Sequence, residues 1–137
     1  MTRRASRKHC FCVVYQLGFR EEEAEPLYDT YVQEFLGDGR IPEKEAEFIL
    51  DIANGVAETR EFLDSTIEKL SRGFSLLRLA KVDLALLRMA VYELAYTQTP
   101  TGVCINEVVE LAKHYGDDES SSFINGLLAN AAKRLRG

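Results

Sequence analysis

The stretch Val82-Asp83-Leu84-Ala85-Leu86-Leu87-Arg88-Met89-Ala90-Val91-Tyr92-Glu93-Leu94-Ala95-Tyr96 decides the fold. Its apolar residues do not alternate as those of a half-buried strand do. Nor do they keep to one narrow helical stripe: Leu84, Leu86, Leu87, Met89, Val91 and Leu94 cover most sides of a helix. Such a helix is surrounded by others, so this segment is expected in the middle of a bundle.

Working outward, apolar residues recur at spacings of three and four in both directions, and no segment reads as an alternating strand. Upstream, Cys10, Val13, Val14 and Leu17 form the stripe of a first helix that Gly18 can end. A second helix is expected from about Pro26, with Tyr28, Val32 and Phe35 inward, up to the turn Gly37-Asp38-Gly39. Pro42 suits the first turn of a third helix, where its missing N–H is not needed, and Ala46, Ile49, Leu50, Ala53 and Val56 form its buried face. A fourth helix carries Leu63, Ile67 and Leu70 and ends near Ser71-Arg72-Gly73. Downstream, Thr99-Pro100-Thr101-Gly102 separates the central helix from a sixth through Val109 and Ala112, closed by Gly116. Asp117 or Asp118 can cap a last helix bearing Phe123, Leu127, Leu128, Ala131 and Leu135. The expectation is an all-α fold, one compact domain over residues 1–137 with about seven helices. They are expected in two sub-bundles joined near residues 58 to 62.

The 137 residues are 46% hydrophobic and 28% charged, enough apolar material to close a core without staples. Three cysteines, Cys10, Cys12 and Cys104, make no CxxC pair, and His9 and His114 are the only histidines. That argues for reduced thiols and against a metal site. No segment reaches membrane-spanning length, and the N-terminus lacks the features of a signal peptide, so a cytoplasmic protein is expected. The net charge of −5 argues against a nucleic-acid partner until its distribution is considered. Arg3, Arg4, Arg7 and Lys8 lie together with no acid among them, ahead of the acidic run Glu21, Glu22, Glu23 and Glu25.

Arg3 with Arg7 and Arg4 with Lys8 are like-charge pairs one turn apart, at the positive end of the helix dipole. Stability alone would place acids there. A phosphate backbone reverses both penalties, whereas a frayed, solvated end accounts for them without a ligand. Tyr15 lies eight residues beyond Arg7, about two turns along roughly the same face. It can stack an unpaired base or pack on Phe11. Asn106 and Asn125 sit amid apolar residues and are read as buried amides with structural partners, a ligand-facing role being the alternative. Glu107 and Glu110 read as a solvated face. No nucleophile–base pair, phosphate loop or metal cluster is present, which points away from an enzyme and from any cofactor.

Three motifs then carry a resemblance. Lys81 to Leu94 resembles the central helix of the NusB family. Pro100 with Val103-Cys104-Ile105-Asn106-Glu107-Val108-Val109-Glu110-Leu111-Ala112-Lys113 is similar to its P…VAINEAVELAK. Ser122-Phe123-Ile124-Asn125-Gly126-Leu127-Leu128 is similar to its KFVNGVLD. Arg7 and Val14-Tyr15-Gln16 extend the likeness to the start of the chain.

The resemblance implies a seven-helix fold in two sub-bundles. It implies transcription antitermination through the single-stranded boxA element of ribosomal RNA leaders, with the ribosomal protein NusE and within the antitermination complex of RNA polymerase. Arg3, Arg4, Arg7 and Lys8 match the family's RNA-contacting start, and Tyr15, Glu119 and Phe123 match positions implicated in RNA or partner contact. Leu77, Arg78 and Asp83 fall where its NusE surface lies. Phe74 stands where many members have Trp, and Arg78 where several have an acidic or apolar residue. Some relatives dimerise and some do not, so a homodimer stays open. The alternative is the NusB-like RNA-recognition domain of ribosomal RNA cytosine methyltransferases, but no Rossmann-like domain follows before Gly137.

Overall fold

The computed structural model describes residues 1–18, 24–35, 41–72 and 75–137. All regular structure among them is helical. The chain forms two compact units, Met1–Glu58 and Thr59–Gly137, divided where the sequence predicts a junction.

The first unit contains α1 (Arg3–Leu17), α2 (Ala24–Phe35) and α3 (Glu43–Glu58), each packed on the other two. α1 begins at Thr2, whose hydroxyl accepts the Ala5 N–H at 3.1 Å and so satisfies one of the helix's unpaired donors. Its predicted stripe, Cys10, Val13, Val14 and Leu17, is wholly buried. Facing it are Leu27, Tyr28 and Tyr31 of α2 and Ile49, Ile52, Ala53 and Val56 of α3, also buried. Each fully buried Leu or Ile side chain contributes roughly 2 kcal/mol through removal of apolar surface from water.

The second unit contains α4 (Arg60–Leu70), a 3-10 turn (Leu76–Arg78), α5 (Lys81–Tyr96), α6 (Thr101–Tyr115) and α7 (Ser120–Arg136). α5 packs against α4, α6 and α7, and Asp83 through Val91 are buried without a break. This is the central helix that its all-round apolar pattern demands. The end of α5 is tied down from α7. Arg136 Nε donates to Leu94 O at 2.9 Å, Nη2 to Glu93 O at 3.1 Å and Thr97 O at 2.9 Å, and Nη1 to Thr99 O at 2.6 Å and Thr101 Oγ1 at 3.1 Å. One planar cation thereby binds two of the last carbonyls of α5 and fixes the turn into α6.

Some boundaries differ from expectation. α2 starts at Ala24, with Pro26 inside its first turn. Pro42 lies just before α3 and its carbonyl accepts from Ala46 N–H at 2.9 Å. Thr101 and Gly102 belong to α6, which starts directly after Pro100. Asp117 rather than Asp118 organises the start of α7, its Oδ1 accepting from Glu119 N–H at 3.0 Å and Ser120 Oγ at 3.2 Å. Asn106 and Asn125 are exposed, not buried, because their apolar neighbours occupy other faces of α6 and α7. The Gly37-Asp38-Gly39 turn, Glu21 to Glu23, Gly73, Phe74 and the side chain of Phe35 lie outside the described residues.

No helix among the described residues is long and apolar enough to cross a membrane. None of the three cysteines is in a disulfide, and no metal-binding group of three or more His, Cys, Asp or Glu occurs among the described residues.

Candidate nucleic-acid interface

α1 carries no acid in its first turn. Its four cations fall on two stripes, because residues four apart overlie and successive residues are about 100° apart. Arg3 and Arg7 form one stripe and Arg4 and Lys8 the other, and the two have different surroundings.

The Arg3–Arg7 stripe faces α3. The Arg3 guanidinium carbon stands 4.0 Å from the centroid of the Phe48 ring, and that of Arg7 stands 5.3 Å from the same centroid. Arg3 also approaches Glu45, Nη1 to Oε2 at 3.6 Å, and the Ser6 hydroxyl donates to the same Oε2. An aromatic face attracts a guanidinium through its quadrupole, so Phe48 seats both arginines and joins α1 to α3. Arg7, one of the four cations matched to an RNA-contacting start, is only 3% exposed. A buried Arg7 supports the helix from within. Arg3 keeps about half of its side chain exposed.

Arg4 and Lys8 are exposed. Counting along the helix, Tyr15 falls within about 40° of their stripe, closer to them than to Arg7. Tyr15 is half-buried and tilted on Phe11, with ring centroids 5.9 Å apart. The packing on Phe11 agrees with the second of its two sequence readings. Between the stripes and α2, His9 Nδ1 and the Tyr31 hydroxyl share a hydrogen bond of 2.9 Å. Burial and then the Lys8 charge hold the His9 pKa below its ordinary value, so at neutral pH His9 adds no charge to the patch.

The other predicted residues belong to the second unit. Glu119 is exposed immediately before α7, and Phe123 lies one turn on, half-buried, its N–H bonded to Glu119 O at 3.1 Å. Leu77 and Arg78 are exposed on the 3-10 turn, Leu77 at 88%. Asp83 is not on that surface: it is 8% exposed, and its Oδ1 is buried without a hydrogen-bond partner. Burial pushes its carboxyl pKa up, the Ser120 hydroxyl partly offsets this, and the Asp117 charge adds to it. Asp83 opens the unbroken buried run of α5 and is followed directly by Leu84, Ala85, Leu86 and Leu87, which draw it into the interior.

The sequence reading missed Phe48, Glu45 and Ser6. Phe48 and Glu45 lie about forty residues from the arginines, and neither has a pattern of its own pointing to α1. The one available signal was the absence of an acid from the first turn of α1, which leaves a place for an acid from elsewhere.

Comparison with known proteins agrees with this arrangement of helices. The sequence model of the NusB family matches residues 4–133. The chain is 42% identical over 134 residues to the transcription antitermination protein NusB of Acetivibrio thermocellus, covering 97% of this chain and 90% of that one. Among solved structures it is similar to T. maritima NusB, with a TM-score of 0.87, 32% identity and 97% and 92% of the two chains covered. It is also similar to a chain in a crystal structure of antitermination factors NusB and NusE in complex with dsRNA, with a TM-score of 0.83, 28% identity and 96% of each chain covered.

Proposed function

The chain belongs to the NusB family of transcription antitermination factors, which are not enzymes, and from that premise we propose that it binds single-stranded RNA of the boxA type together with NusE. It would do so in the cytoplasm, within the antitermination complex of RNA polymerase. The observation that carries the reading is the exposed pair Arg4 and Lys8 at the positive end of α1, in line with Tyr15. These like charges oppose both each other and the helix dipole, and a phosphate relieves both. Arg3 offers its open edge beside them, and Arg7 holds the patch in place from behind. Tyr15, with Glu119 and Phe123 in the second unit, would meet bases or the partner. Leu77 and Arg78 would meet NusE directly, and Asp83 would act from beneath that surface. The similar structure that contains NusB, NusE and RNA supports both partner classes.

The test is a titration of single-stranded boxA RNA, a scrambled strand and the boxA duplex, each with and without NusE. Two or three neutralised phosphates predict a slope of log K against log salt of roughly −1.4 to −2, at about −0.7 per phosphate. NusE should tighten the boxA strand more than the scrambled one. Equal binding of all RNAs with and without NusE would remove the boxA reading, and absence of salt-dependent binding would leave a helical adaptor without an RNA role. Sedimentation of the same samples reports whether the chain dimerises.

A further inference from the structure

We infer that Glu45 is an internal counter-anion that RNA has to displace from Arg3, so that α3 sets the affinity of a site carried on α1. The inference rests on the RNA reading of α1. An α-helix favours a negative charge at its first turn, and α1 has none of its own. Glu45 supplies it from α3. Its Oε2 lies 3.6 Å from Arg3 Nη1 and accepts the hydroxyl of Ser6, a residue of α1 that is itself buried. The carboxylate is thereby fixed beside the helix start instead of sweeping through solvent. Phe48 holds the other side of the arrangement, with the Arg3 guanidinium 4.0 Å from its ring centroid. Carboxylate and phosphate oxygens compete for the same planar donors. Arg3 remains about half exposed, so a phosphate can reach it without α1 leaving α3.

The consequence is measurable with a single-stranded boxA oligonucleotide and the full chain. Glu45→Gln keeps an acceptor for Ser6 and removes the charge; Glu47→Gln, at an exposed position on the same helix, makes the same change in net charge elsewhere. Glu45→Gln should tighten RNA binding about two- to fivefold at low salt, the range of a partly exposed ion pair. It should also steepen the salt slope by up to about 0.7. Glu47→Gln should change binding less, and the gain from Glu45→Gln should vanish in an Arg3→Ala background. Equal effects of the two glutamines, weaker binding by Glu45→Gln, or a gain that survives Arg3→Ala overturns the role of Glu45 while wild-type binding keeps the RNA reading intact. No salt-dependent binding by the wild type overturns both. Should Glu45→Gln melt below the assay temperature, Arg3→Ala and Lys8→Ala decide the matter. With Glu45 already holding Arg3, Arg3→Ala costs less RNA affinity than Lys8→Ala, and an equal or larger cost overturns the inference.

Discussion

Arg88 of α5 grips Asp64 of α4 side-on, with Nε to Oδ1 at 2.7 Å and Nη2 to Oδ2 at 2.9 Å. Two parallel charge-assisted bonds fix direction as well as distance, and the Arg88 side chain is only 7% exposed. Arg60 approaches the same carboxylate at 3.8 Å from one turn before it. The pair is a polar peg through an apolar helix contact. Removing Arg88 leaves Asp64 with only the longer approach of Arg60, so Arg88→Ala should cost about 2 kcal/mol in chemical denaturation. Arg88→Lys cannot reproduce the fork and should lose a substantial part of that. A loss under about 0.5 kcal/mol for Arg88→Ala would put this pair among surface ion pairs of little weight.

Asp83 gives a stability that depends on pH with a defined sign. Its native pKa lies above the ordinary carboxylate value of 3.8, so the native state binds this proton more tightly than the unfolded chain. Its contribution is therefore most favourable in acid and is lost as pH rises from 3.8 through the native value. Asp83→Asn removes the charge and should stabilise the protein at neutral pH by about 1 kcal/mol, the scale of an unsatisfied buried polar group. The advantage should shrink as the pH is lowered. Thermal melts of both proteins across that range check it, and parallel pH curves would mean that Asp83 keeps its ordinary titration.

The cations of α1 should separate into two kinds. Arg4→Ala and Lys8→Ala should leave the melting temperature nearly unchanged and each make the RNA salt slope about 0.7 shallower. Arg7→Ala should instead destabilise the fold by about 1–2 kcal/mol, through lost packing and the lost interaction with Phe48. Denaturation and RNA titration on the same preparations distinguish the two. A destabilised Lys8→Ala, or an Arg7→Ala that changes only binding, would contradict the assignment.

Gly116 joins α6 to α7 at close range. A Cβ built there would lie 2.5 Å from both Cβ and Oγ of Ser120 and 2.9 Å from Ala112 O. Ser120 is buried, and its hydroxyl accepts the Asp117 N–H at 3.0 Å, so it has little room to yield. Gly116→Ala should cost about 2 kcal/mol by overpacking, measured by denaturant midpoint. A neutral substitution would show that the α6–α7 turn repacks.

The helices were legible where periodicity alone decides them. Val82 to Tyr96 is apolar on most sides and is central, and the stripe Cys10, Val13, Val14 and Leu17 is buried as its spacing requires. What sequence spacing did not reveal was the second partner of each polar group. Arg3, Arg4, Arg7 and Lys8 look alike as a string, and Phe48 and Glu45, brought in by the packing of α3, set Arg3 and Arg7 apart. Asp83 was placed on a partner surface by the resemblance, yet it opens the unbroken buried run of α5. Asn106 and Asn125 show the reverse: amid apolar neighbours in sequence, they lie on exposed faces of their helices.

The division at Glu58 and Thr59 also has a consequence for synthesis. Each unit is one unbroken run of chain, so neither waits for a distant segment to complete its contacts, and the loop-closure cost of each is local. Translation adds roughly 5–20 residues per second. The α1–α3 unit can therefore assemble, with Arg3 and Arg7 already seated on Phe48, while the ribosome is still adding the residues of α5. Synthesis from the N-terminus thus makes the support of the basic helix available before the second unit has its central helix.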